Sequence, residues 1–346
     1  VFINSFNHFR AVAIIFIVMG HCYSITGMTF NTFPSAFIQN FISGGTTLFV
    51  FISGFLFYHI FYKNFNLKTF LIKKIKTVLL PYVIIGSLPV IYLTLKQASV
   101  YGDWFLPSGD SLLDNYLIPT LKYYSSGRFL TGYWYIPFIF IIFLMSPFFI
   151  QFIELRKRYQ IIIIALMSVI AMYAHRPILN INPLHSAIYY IPVYLLGIFA
   201  AINRLKIYTW LMGKELILMV VIVSLITYQT MNGHNGSYHK YLFSYSGIDL
   251  VFIHKILLCF LLMIILHRFE NFKHPLINHL AATSFTVFFL HPLAIFLMNK
   301  FLKDALHFDS WVFLSIFTTL IITICSLIAV QFKKLAPINS RYIIGY

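Results

Sequence analysis

Apolar runs long enough to cross a bilayer recur ten times along this chain, and only short polar stretches separate them. A spanning helix needs about 20 mostly apolar residues. Runs of roughly that kind cover 8–28, 38–60, 77–95, 132–153, 159–175, 187–203, 215–231, 249–266, 283–300 and 311–332. In lipid the backbone must satisfy its own hydrogen bonds, so such runs fold as helices. Only 10% of the residues are charged, against about 25% in a soluble domain, too few to cover a water-facing surface. The 38 Phe and 23 Tyr suit lipid-facing packing and interfacial belts. The expected fold is all-α: a polytopic integral membrane bundle of about ten transmembrane helices, with residues 1–346 forming a single domain. No internal repeat, low-complexity tract or second soluble domain is visible.

The net charge of +16 does not imply a nucleic-acid partner, because no basic stretch is interleaved with a soluble aromatic platform. The charge sits in clusters between the apolar runs, where it reports topology. Placing the N-terminus in the cytoplasm puts sixteen cations on the inner side: Lys63, Lys68, Lys73, Lys74, Lys76, Arg156, Lys157, Arg158, Arg204, Lys206, Lys214, Arg268, Lys273, Lys333, Lys334 and Arg341. Seven fall outside: Lys96, Lys122, Arg128, Arg176, Lys240, Lys300 and Lys303. Arg10 and Lys255 lie at or within spans. Both termini are therefore expected in the cytoplasm. Asp103, Asp110, Asp114, Asp304 and Asp309 fall outside in agreement.

Cys22, Cys259 and Cys325 lie in apolar runs without metal-ligand spacing, so neither a metal site nor a disulfide framework is expected. The start runs straight into the first span, without the small-residue exit of a cleavable signal peptide. The longest outer loop, 96–131, sets Tyr101, Trp104, Tyr123 and Tyr124 among Pro107, Gly109 and Pro119. Its rings suit either the headgroup region or a sugar face.

Ionisable residues within a span are expensive and mark function by default. The sharpest pair is Arg10 and His21, in HFRAVAIIFIVMGHCYSI. Eleven helical steps return His21 to within about 20° of the Arg10 face, about 16 Å along the axis. The bland alternative is a snorkelling arginine and a hydrogen-bonded buried histidine. Cys22 points about 100° away from its neighbour, and Asp249 and Lys255, six apart, do not share a face.

An arginine and a histidine with ten residues between them, opening a ten-span chain, resemble the signature of the membrane acyltransferase 3 family. Further stretches fit in the same order: FVFISGFLF (49–57) with Ser53, Gly54 and Phe55, the basic run FLIKKIKTVLLPY (70–82), GYWYIPFIFIIFLMSP (132–147), and SFTVFFLHPL (284–293). Two departures stand out. Asn7 occupies a position that is often acidic, and lysines replace an arginine-rich basic run, keeping charge but losing bidentate phosphate grip.

The resemblance implies an O-acyltransferase of surface polysaccharides in a bacterial cytoplasmic (inner) membrane. Cytoplasmic acyl-coenzyme A would be the donor substrate, with no tightly bound cofactor, and a glycan or lipid-linked glycan hydroxyl the acceptor. Acetyl is the common family case; succinyl is the alternative, and a glycan transporter or flippase without catalysis is the competing class. The acceptor hydroxyl needs a base, and His21 suits the task, although an acyl-histidine intermediate fits as well. Arg10, Lys73, Lys76, Arg156 and Arg158 are expected to hold the coenzyme A phosphates. Trp134 and Tyr135 are expected to pack on the donor arm or the acceptor. Ser53 and Ser284 are expected to donate hydrogen bonds between helices, and His291 to assist at the site.

Overall fold

The computed structural model describes residues 2–97, 102–302 and 308–346. Tyr101, Lys303 and Asp304 of the outer-side assignment lie outside the described residues. Among the described residues eight helices are long and apolar enough to cross a membrane, and counting each of two bent pairs as one span brings the number to ten. The expected polytopic helical bundle is the fold observed.

Helix α1 (Asn4–Thr26) crosses unbroken. Glu270, distant in sequence, caps its start: the Asn4 and Ser5 backbone N–H groups donate to the two carboxylate oxygens at 2.6 and 3.1 Å. Gly27, at φ 62°, closes the other end. The second passage is broken. Helix α2 (Phe33–Ile42) stops at Ser43–Gly45, where Gly44 takes φ +79°, and α3 (Thr46–Leu56) starts anew. The buried Lys255 side chain donates to the Phe41 carbonyl beside this break. Its ammonium lies over the Phe16 and Phe41 rings at 5.1 and 5.4 Å. A cation at a helix C-terminus is favourable there, because the last carbonyls lack intrahelical donors.

Helix α4 (Leu67–Lys74) widens through one turn at Ile75–Leu79 into α5 (Leu80–Leu95). The outer loop carries α6 (Ile118–Ser126). Helices α7 (Tyr135–Leu144) and α8 (Ser146–Glu154) meet at 55°, just before Pro147. Then come α9 (Lys157–Ala174), α10 (Pro183–Ile202), α11 (Arg204–Leu211) and α12 (Glu215–Met231), the last two crossing at 85°. Helices α13 (Leu250–Arg268), α14 (Pro275–Leu302), α15 (Trp311–Leu335) and the short α16 (Ser340–Ile343) complete the bundle. The strands β1 (Arg176–Pro177) and β2 (His239–Lys240) pair in parallel at one end, with Arg176 opposite His239.

Two helices form the centre. Helix α1 packs against α14, α15, α13 and α3, and α10 packs against α3, α9 and α7. Glycine permits the α3–α10 approach: a Cβ on Gly54 would lie 2.0 Å from the Tyr194 carbonyl oxygen, and one on Gly197 would lie 2.2 Å from that of Phe51. Small residues at such crossings let backbones touch where lipid supplies no hydrophobic drive.

Candidate active site

Helices α1 and α14 run side by side in the same direction, joined by polar rungs in ascending order. Asn7 Nδ2 donates to Asn278 Oδ1 at 3.1 Å, Arg10 Nη2 to Ser284 Oγ at 3.1 Å, and His21 Nδ1 lies 2.9 Å from His291 Nε2. The first and ninth passages of an alternating bundle must be parallel, which is why positions about 270 residues apart meet.

The upper rung has a defined proton order. His291 Nδ1 lies 2.7 Å from the Val287 carbonyl oxygen, one turn earlier. A carbonyl only accepts, so Nδ1 of His291 carries its proton and Nε2 of the neutral ring is an acceptor. His21 must then donate from Nδ1, which leaves the lone pair of the His21 ring on Nε2. The two rings stack nearly parallel, 7° apart with centroids at 5.2 Å. Pro292 follows His291 and has no N–H, so α14 is locally short of a donor where this histidine turns back on its own helix.

Gly132 presses on His21. With φ +79°, it is held where a Cβ would stand 2.8 Å from His21 Cε1. A side chain at that position would collide with the ring. Tyr133 anchors the same loop, its hydroxyl donating to the Phe289 carbonyl of α14 at 2.8 Å.

The middle rung, Arg10–Ser284, opens into a cavity of about 630 Å³. Arg10, Lys73, Lys74, Lys333 and Arg341 supply its positive charge, and its lining contains no Asp or Glu. Ser53, Tyr135, Tyr194 and Ser284 supply polar groups further in. Lys74 is held over the Phe143 ring at 4.5 Å and Lys333 over Tyr346 at 4.1 Å. Phe288 stands between this cavity and the histidines. Its centroid lies 6.4 Å from Phe49 and 5.3 Å from Tyr135, both lining residues, and 6.2 Å from His291.

The site residues expected from sequence thus divide. Arg10, Ser53, Lys73, Tyr135 and Ser284 meet at the cavity, and His21 and His291 form the rung above it. Lys76 is exposed and is not part of the lining. Arg156 immediately precedes α9, and Arg158 donates to the neighbouring Tyr159 hydroxyl at 2.8 Å; both are exposed and away from the lining. The turn into α9 carries them outward. Trp134 is buried in an aromatic stack with Phe138 and Tyr190, with the Arg176 guanidinium 4.7 Å over its ring. Consecutive helical residues diverge by about 100°, so Tyr135 reaches the cavity and Trp134 does not.

Lys74, Lys333, Arg341, Tyr194 and Gly132 were not singled out as site residues from sequence. Lys333 and Arg341 sit among topology-setting charges, and only the return of the chain end to α5 and the Ile75–Leu79 turn reveals them as lining.

A family model described as an acyltransferase domain, that of the acyltransferase 3 family, matches residues 3–330. No curated protein and no solved structure matches the chain. The family match runs from the start of α1 into the last turns of α15 and takes in all three rungs, and the chain is a membrane acyltransferase belonging to the acyltransferase 3 family.

Proposed function

We propose that this protein transfers an acyl group, acetyl in the first instance, from cytoplasmic acyl-coenzyme A to a hydroxyl of a cell-surface glycan or its lipid-linked precursor. One observation carries the proposal: a cation-lined cavity and an ordered histidine pair sit on successive rungs of the same two helices. The sixteen-to-seven distribution of basic residues supports placing the cavity mouth and both termini in the cytoplasm of a bacterial inner membrane. The family match over nearly the whole chain supports a single catalytic unit.

In this scheme Arg10, Lys73, Lys74, Lys333 and Arg341 bind the phosphates of the donor, whose charge they complement. The thin arm of the donor enters between Ser53, Tyr135 and Ser284, and Phe288 turns aside to let the thioester reach His21. The acceptor hydroxyl approaches from the other side. His21 Nε2 takes its proton as the oxygen attacks the thioester carbonyl. The imidazolium so formed keeps its Nδ1–H directed at His291, which spreads the charge and holds the ring. The carbon–sulfur bond breaks, and the leaving thiolate takes the proton back from His21. The products are an acyl ester and free coenzyme A. Lys76, Arg156 and Arg158 have no part in this scheme.

The test is mass spectrometry of surface glycans from cells with and without the gene, together with thiol release by the purified protein given acetyl-coenzyme A. An acyl substituent that disappears with the gene is expected. Unchanged glycans and no thiol release would overturn the proposal, and a succinyl substituent would correct the acyl group alone.

A further inference from the structure

A second cavity, of about 610 Å³, lies away from all three rungs, beneath α11. The 85° crossing of α11 and α12, at a turn where Gly213 takes φ +87°, lays α11 across the ends of its neighbours. Lys206, Ile207, Trp210 and Leu211 then share the face that roofs the groove, spaced as one side of a helix requires. Its floor descends along the neighbouring passages through Phe199, Leu218, Leu257 and Phe260.

The rim is chemically different from the floor. Lys157 is the first residue of α9, Lys214 immediately precedes α12, and Lys206 lies in the first turn of α11, so all three cations stand near helix starts. Two are posed over rings of the groove: Lys214 over Trp210 at 4.2 Å and Lys157 over Phe199 at 5.9 Å. No carboxylate lines the groove. Glu215, next in sequence to Lys214, is engaged by Arg268 at 2.5 Å. The site therefore offers uncompensated positive charge at headgroup level and an apolar channel directed into the bilayer.

We propose that this groove binds one anionic glycerophospholipid, with its phosphate on Lys157, Lys206 and Lys214 and an acyl chain along Phe199, Leu257 and Phe260. A zwitterionic lipid brings an ammonium of its own to the lysines and is disfavoured. The site is separate from the histidine rung, so lipid retention and acyl transfer can fail independently.

The experiment is native mass spectrometry of the full chain released from nanodiscs holding equal phosphatidylglycerol and phosphatidylcholine. One phosphatidylglycerol is expected to persist as other lipids are stripped. The variant Lys157→Gln/Lys206→Gln/Lys214→Gln should lose this preference, on the order of a hundredfold in relative retention, or about fivefold per lysine. Leu257→Trp keeps the charges but fills the floor, and should lose retention too. Lys63→Gln/Lys68→Gln/Lys334→Gln removes equal charge elsewhere and should keep it. Thermal unfolding in phosphatidylcholine nanodiscs checks that each variant folds. Equal retention of the two lipids by the natural chain, persistence in the groove variant, or equal loss in the control would overturn the proposal. So would displacement of phosphatidylglycerol by an equimolar polyprenyl phosphate, which would assign the groove to the lipid carrier of a glycan.

Discussion

The histidine rung depends on one direction of hydrogen bonding. His291 Nδ1 is committed to the Val287 carbonyl, and that commitment orients His21. A group that holds a base in position typically contributes less than the base itself, about ten- to a hundredfold by analogy with groups that orient metal ligands. His291→Ala is expected to lower kcat by that factor and leave donor affinity unchanged. Steady-state rates beside equilibrium binding of acyl-coenzyme A separate the two; a fall in donor affinity with kcat intact would move His291 to the donor site. Glu270 acts at the same scale on stability. Burial raises its carboxyl, but hydrogen bonds from Ser5 and Asn4 outweigh this and hold it below the ordinary glutamate range. A carboxyl lowered by folding stabilises the native state above its unfolded value and loses that contribution as pH falls through the folded one. Thermal stability should therefore drop below roughly pH 4 in the natural chain, and this step should shrink in Glu270→Gln, as melting curves across pH would reveal. An unchanged acid step in the variant would remove Glu270 from the cap.

At the scale of elements, hydropathy made the ten passages legible because lipid imposes length and composition on each one. The interruptions were less legible. Ser43–Gly45, the bend before Pro147 and the turn at Gly213 lie within or beside runs that read as continuous, since a break leaves hydrophobicity nearly untouched. Lys255 was visible as an intramembrane cation, but its partner is a backbone carbonyl, which no side-chain pattern announces. The Arg10–His21 stripe followed from helical spacing, whereas its companions on α14 needed the bundle's topology. The Ser53-Gly54-Phe55 stretch owes its glycine to packing: Gly54 and Gly197 bring α3 and α10 into backbone contact. Gly54→Ala and Gly197→Ala should each destabilise the protein by about 1–3 kcal/mol through overpacking. Melting temperatures in one fixed detergent would measure this, with Thr319→Ala as an exposed-surface control. Variants as stable as the natural chain would imply a looser crossing.

For the whole molecule, the bundle joins two chemistries at opposite depths. The basic end gathers cations from α1, α4, α15 and the chain terminus around one cavity, while the histidine pair stands further along the same helices. That division gives a topological prediction. Single cysteines at Lys68 and Lys334 should react with a membrane-impermeant maleimide only in inverted vesicles, and one at Asp110 only in intact cells. The reverse pattern would place the cavity mouth outside and exclude a cytoplasmic donor. The most direct test of the account compares the natural chain, His21→Gln and Arg10→Ala in nanodiscs, measuring acyl transfer and acyl-coenzyme A binding on the same samples. Loss of a positioned base costs about a hundred- to ten-thousandfold, so His21→Gln should bind donor normally and transfer at no more than about a hundredth of the natural rate, while Arg10→Ala should lose donor affinity. Near-normal transfer by His21→Gln would contradict the assignment of the base.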